Sequence, residues 1–124
     1  MKIIKRSERH TFTDERGLLD VLLEDGATIK NVLYMTGEKD AIRGSHVHAK
    51  DTHYCLLVSG SVDYCILNED KSVTAVTLEE GDIVFTPVGE IHKFVFRQPS
   101  IMLALCTESR AQNDYEEDIT RIQF

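Results

Sequence analysis

At 124 residues the chain is long enough for one compact domain and too short for two. An apolar content of 42% supports a core without disulfide staples, which sets aside disordered chains and small disulfide-rich scaffolds. Lys and Arg total 14 against 21 Asp and Glu, a formal net charge of −7. That balance argues against a general nucleic-acid binder and against attachment to anionic membranes. A local basic cluster could still receive an anionic small molecule.

In chain order, the start Met1-Lys2-Ile3-Ile4-Lys5-Arg6 is basic but lacks the apolar stretch of a signal peptide, and no later run reaches the length of a membrane span. Turn signals follow at short intervals: Asp14-Glu15-Arg16-Gly17, Glu24-Asp25-Gly26, Gly37, Gly44, Ser59-Gly60, Asn68-Glu69-Asp70, Glu80-Gly81 and Pro87-Val88-Gly89. Between them, residues 29–35, 53–58, 62–67, 72–78, 83–85, 93–96 and 101–106 are rich in β-branched and aromatic side chains and read as strands. Residues 113–117 are the one place a short helix is expected. Many short strands with regular turns predict a single all-β domain over residues 1–124, a sandwich or barrel. Cys55, Cys65 and Cys106 are odd in number and widely spaced, which fits a reducing cytoplasm and three small buried hydrophobes.

Four of the five histidines fall in two clusters. His46 and His48 are two apart, so an extended strand turns both rings to one face. His53 has the opposite parity, and a hairpin through Ala49-Lys50-Asp51-Thr52 is expected to return it to that face. The second cluster runs from Gly81 through the corner Pro87-Val88-Gly89 to His92, where a second hairpin is expected to bring one more imidazole opposite the first three. His46, His48, His53 and His92 together suit a divalent transition metal (Zn, Fe, Ni, Co or Cu) better than Ca or Mg. The alternative is a metal-free cavity lined by imidazole. His10 stands outside both clusters and reads as a surface residue.

These residues carry a family resemblance. Gly44-Ser45-His46-Val47-His48 with His53 and Gly60 resembles the first cupin motif; Gly81, Pro87-Val88-Gly89 and His92 resemble the second. The resemblance implies a cupin jelly-roll β-barrel, the double-stranded β-helix. His53 stands where the first motif has Glu, and Phe96 where the second often has Asn. An all-imidazole set would leave a dication its full charge, which favours an anionic or enolate-like ligand.

The flanks narrow the resemblance. The D-x-R-G turn after Phe12-Thr13, the strand Val32-Leu33-Tyr34-Met35, the run Arg43-Gly44-Ser45-His46-Val47-His48 and the ending 115–124 are similar to dTDP-sugar 3,4-ketoisomerases. The dTDP-4-keto-sugar 3,5-epimerases share the R-G-x-H step. The resemblance implies His46 or His48 as a metal-free base, Tyr34 as proton donor or hydrogen-bond partner, and Arg43 as a phosphate contact. It also implies a homodimer, with Lys2-Ile3-Ile4 available as an exchanged strand.

Residue chemistry offers plainer readings. Arg43 could pair with a carboxylate, Tyr34 could be core, and Glu90 could be a solvated turn residue. Two positions depart from the ketoisomerases: Gly37-Glu38-Lys39 lacks their arginine, and His53 replaces Gln. A histidine whose lone pair binds metal cannot also be the base, so with metal bound that role would pass to Tyr34 or Glu90. The expected function is a keto-sugar or sugar-nucleotide isomerase or epimerase acting through an enediolate. The alternatives are an Fe(II)-dependent cupin dioxygenase and a non-catalytic sugar- or metabolite-binding cupin.

Overall fold

The computed structural model describes residues 1–24 and 26–124, so the turn expected at Glu24-Asp25-Gly26 lies partly outside the described residues. Two five-stranded antiparallel sheets face each other. The first has the order β1 (Lys2–Ile4), β9 (Ile83–Thr86), β6 (His53–Ser59), β11 (Ser100–Cys106), β4 (Asn31–Gly37). The second has the order β12 (Ile119–Arg121), β5 (Ile42–His48), β10 (His92–Phe96), β7 (Val62–Leu67), β8 (Val73–Leu78). A separate hairpin joins β2 (Thr11–Asp14) to β3 (Gly17–Asp20), and a short helix α1 (Gln112–Asp118) precedes β12. This is a jelly-roll layout of two sheets. Among the described residues no strand pairing joins the sheets into the closed barrel expected from the sequence.

Consecutive strands from β4 onward alternate between the sheets, and only β7 and β8 pair as a hairpin. This corrects two expectations. The turns after His48 and after Thr86 are crossovers and not hairpins: β5 and β10 lie in the second sheet, β6 and β9 in the first. His53 therefore reaches the interior from the wall facing His46 and His48. His92 sits beside His46, its partner in the β10–β5 register.

Side-chain alternation then sets what lies inside. Along β6 the inward positions are His53, Cys55 and Leu57; along β10 they are His92, Phe94 and Phe96. Each strand delivers an imidazole at one end and apolar anchors two and four residues on. The anchors join Val62, Tyr64, Leu78, Val84, Met102, Ala104 and Cys106 in one buried cluster. All three cysteines are buried and unpaired, as expected. Burial holds their thiols in the neutral form, Cys106 being pushed up to about 12. Phe96 fills the space that a Cβ on Gly37 would need, which accounts for an aromatic ring in place of the amide of the usual motif.

The opening strand, expected as an exchange element, pairs with β9 of its own chain, and the Met1 amine lies 3.3 Å from Glu90. Arg9, nearly buried, ties the β2–β3 hairpin to this edge through Asp20 and the carbonyls of Ile4 and Gly81. The outer face of the first sheet is apolar over two rows in register: Val32, Leu105, Tyr54 and Phe85, then Tyr34, Leu103 and Leu56. Among the described residues no helix is long and apolar enough to cross a membrane.

Candidate active site

The four histidines of the two motifs converge at one end of the sandwich. A β-bulge aims the first of them. The β10–β5 register shifts between His92 and Lys93 and leaves Ser45 as an extra residue, with Gly44 at φ 90° and Ser45 at φ 55°. A Cβ on Gly44 would lie 3.2 Å from both the His92 carbonyl and the Lys93 Cα, so the close approach of β5 to β10 needs glycine here. Ring centroids lie 4.6 Å apart for His46 and His48, 4.9 Å for His46 and His92, and 4.5 Å for His48 and His53.

Carboxylates and carbonyls fix three of the rings. His48 Nδ1 lies 2.8 Å from the Asp118 carboxylate, whose other oxygen accepts the Lys50 backbone N–H at 2.6 Å. His53 Nε2 lies 2.6 Å from Asp51. His92 Nδ1 donates to the Glu90 carbonyl at 2.9 Å, which leaves Nε2 as its lone-pair nitrogen. A cavity of about 210 Å³ opens over His46, His53 and His92, between Leu33 and Met35 of β4 and the side chains of Arg43, Arg110 and Tyr115. That is below the ~300–1,000 Å³ of sites for drug-sized ligands and suits a single small ring. The Arg110 guanidinium stacks on Tyr115, 3.4 Å from the ring centroid. Arg43 is anchored by Nε donating to the Thr36 carbonyl at 2.9 Å.

A family model described as FdtA, WxcM-like, C-terminal, matches residues 3–123. The chain belongs to this family. No curated protein sequence matches it. Among solved structures, a 3,4-ketoisomerase from Helicobacter canadensis is 21% identical, with TM-score 0.79 over 97% of this chain and 89% of that one. A variant of the 3,4-ketoisomerase QdtA from Thermoanaerobacterium thermosaccharolyticum, in complex with TDP-4-keto-6-deoxyglucose, is 21% identical, with TM-score 0.75 over 97% and 86%. The rmlC epimerase of Mycobacterium tuberculosis is 20% identical, with TM-score 0.77 over 97% and 67%. At these identities the likeness establishes the shared cupin fold.

Burial decides the protonation of the imidazoles in this FdtA-family chain. It drives His46 down to about 3, helped by repulsion from His92, His48, His53 and Arg121. It drives His92 down to about 4 against the opposing Glu90 carbonyl bond. His48 is lowered too, by burial and then by His53, with Asp118 pulling the other way. At neutral pH these three rings are uncharged and present lone pairs. Burial pushes the Asp51 carboxyl up, yet the His53 bond and charge outweigh it and leave the group below the usual carboxylate range.

The expected four-ligand set resolves into two overlapping trios. Nitrogens of His46, His48 and His92 lie within 4.8 Å of one another, and His48, Asp51 and His53 form the second trio. His48 Nε2 is buried without a hydrogen-bond partner, an unsatisfied lone pair inside a ring of imidazoles. That orphan, and the oxygen acceptors behind His48 and His92, fit His46, His48 and His92 to an imidazole-bound dication.

Two expected residues stand apart from the cavity. Tyr34 is 68% exposed on the outer face of β4, because Leu33 and Met35 take the inward positions on either side of it. Glu90 turns away, accepting the buried Tyr64 hydroxyl at 2.6 Å and facing the Met1 amine. His10 is exposed, 3.0 Å from Glu24. The sequence reading missed Asp51, Asp118, Arg110 and Tyr115. Asp118 is 70 positions from the His48 it holds, so no local spacing points to it. Asp51, two residues before His53, was open to detection as a polar residue in an otherwise turn-like segment.

Proposed function

We propose that this chain is an isomerase or epimerase of a nucleotide-linked keto sugar, acting through an enediolate. The observation that carries the reading is the cavity itself: the uncharged rings of His46 and His92 share it with two arginines, in a protein whose net charge is −7. Neutral imidazole is the form that can accept a proton from carbon. Arg43 and Arg110 are placed to receive a diphosphate, which both arginine forks can bind bidentately. The family match and the ketoisomerase and epimerase neighbours support the same reaction class.

His46 reaches the cavity and takes the proton beside the ketone. His48 lies behind it, edge-on at 4.6 Å, and carries the Asp118 carboxylate, whose charge stabilises the imidazolium as it forms. Tyr115, 6.2 Å from His46 between ring centroids, closes one side of the cavity under Arg110.

The unsatisfied His48 Nε2 favours a second reading of the same site, in which His46, His48 and His92 hold a divalent transition metal. Such a metal would polarise a substrate carbonyl. His46 cannot be ligand and base at once, so the two readings are exclusive at that ring. The protein is assigned as a homodimer that buries the apolar outer face of the first sheet against a second copy. Across β4, β11, β6 and β9 the two rows carry no charged side chain, the first row meeting one only at Lys2 on the edge strand β1, and an apolar sheet face of this kind can pack on a copy of itself.

Incubation with TDP-4-keto-6-deoxyglucose tests the reaction. Migration of the ketone or inversion beside it, read by NMR and lost in His46→Asn, supports the proposal; an unchanged sugar at full protein loading refutes it. Elemental analysis of the purified protein tests the metal. About one equivalent of a transition metal, lost in His92→Ala, supports the three-imidazole centre, and full turnover by metal-free protein removes it.

A further inference from the structure

We propose that Asp51 and His53 form a second dyad, which carries the proton between the two substrate oxygens while His46 carries the one between the carbons. The proposal rests on the isomerase reading and deepens it, since it commits the site to migration of the ketone. His53 lines the cavity from the first sheet, facing the wall that holds His46 and His92. Its Nε2 is committed to Asp51 at 2.6 Å, so Nδ1 is the nitrogen left for a ligand.

Asp51 is built to stay ionised. It is 4% exposed, and its second oxygen accepts the Thr107 N–H at 3.0 Å, the Glu108 N–H at 3.1 Å and the Thr107 hydroxyl at 3.2 Å. Those donors come from the segment after β11, so the carboxylate is fixed before any substrate enters. Buried charge on this scale is costly unless paired. The backbone donors already satisfy one oxygen, and the imidazole turns the other into a link to the cavity.

Moving a ketone to the neighbouring carbon requires two proton transfers. His46 removes the proton from the hydroxyl-bearing carbon; the C–H pair becomes the new C=C bond and the carbonyl π pair moves onto its oxygen. His53 Nδ1 takes the proton of the neighbouring hydroxyl, its charge held by Asp51, and delivers it to the former carbonyl oxygen. The hydroxyl oxygen's electron pair forms the new carbonyl, and His46 returns its proton to the former carbonyl carbon. One proton has passed from carbon to carbon and one from oxygen to oxygen. Both rings end as they began, with no oxidant or reductant consumed.

Two rates separate the steps. In D2O with TDP-4-keto-6-deoxyglucose, NMR reads deuterium entering the substrate beside the ketone and, separately, ketone migration. Asp51→Asn and His53→Gln are expected to keep deuterium entry within about threefold of the wild type while slowing migration by about 100-fold or more. His46→Asn should abolish both. Equal loss of the two rates in His53→Gln, or no loss of either, overturns the dyad. Wild-type protein that exchanges and inverts the carbon without migrating the ketone overturns it as well. Wild-type protein with neither exchange nor migration refutes the isomerase reading from which the dyad follows. Should Asp51→Asn fail to fold, as judged by a cooperative melt, His53→Gln decides alone, because it leaves all three donors from Thr107 and Glu108 paired with Asp51.

Discussion

Acidification from pH 7 to pH 5 is expected to weaken the fold through its uncharged histidines. His92 titrates near 4 in the folded protein against 6.5 for a free imidazole, because burial disfavours the cation. At pH 5 the unfolded chain binds a proton at this residue and the folded chain does not. Unfolding is therefore favoured as pH falls below 6.5, and the effect saturates below about 4. At pH 5 the gap is 1.5 units, worth about 2 kcal/mol at ~1.4 kcal/mol per unit. His46, near 3, contributes a similar amount over the same interval. The sum of about 4 kcal/mol is a large part of the ~5–15 kcal/mol by which domains are stable. Urea unfolding at pH 7 and pH 5, on chelator-treated protein, measures the loss. His92→Gln should shrink the pH-dependent part by about 2 kcal/mol whatever it does to stability at pH 7. If wild type and His92→Gln lose the same stability between these pH values, the buried neutral imidazole is not the cause.

Four further outcomes follow from the geometry. Asp118→Asn keeps the shape of the His48 partner but removes its charge, so turnover of the nucleotide keto sugar should fall about 10²–10⁴-fold with KM changing less. Gly44→Ala forces a side chain onto a positive φ and against the β10 backbone. It should lower the urea midpoint by the equivalent of about 1–3 kcal/mol and disturb His46. Val32→Glu with Tyr34→Glu places charges on the outer apolar rows and should halve the mass seen by light scattering while leaving the far-ultraviolet dichroism unchanged. Arg43→Ala should raise KM for the sugar nucleotide at least tenfold and leave kcat within a few-fold, because the contact is made equally in ground and transition states.

Much of the fold was legible in the sequence because it follows from local chemistry. All seven expected strands formed, each within about two residues of its predicted bounds. The short helix appeared in the acidic tail and the cysteines in the core. The two histidine motifs gave the site its location because strand parity is local. What parity does not carry is which sheet a strand joins, so the polar segment after His48 read as a hairpin where the chain crosses between sheets. The pairing of the two shortest strands escapes the sequence for the same kind of reason. β1 and β12 have three residues each, and their pairing with β9 and β5 is decided by distant partners. Tyr34 was assigned to the site by resemblance, yet the inward positions of β4 belong to Leu33 and Met35. The carboxylates behind His48 and His53 divide along the same line. Asp51 is a neighbour in sequence, whereas Asp118 becomes a partner only after the whole sandwich has closed.

The split origin of the histidines gives the protein a mechanical property. His46, His48 and His92 belong to one sheet and His53 to the other, and at this end of the sandwich the two sheets are joined by the crossovers 49–52 and 87–91 and by side-chain contacts, with no strand pairing between them among the described residues. A molecule that touches both walls acts as a rivet between two plates. Its binding energy resists their separation, so any true ligand should raise the melting temperature in proportion to the logarithm of its concentration. Screening nucleotide sugars by thermal shift would then find the occupant without any assay for turnover.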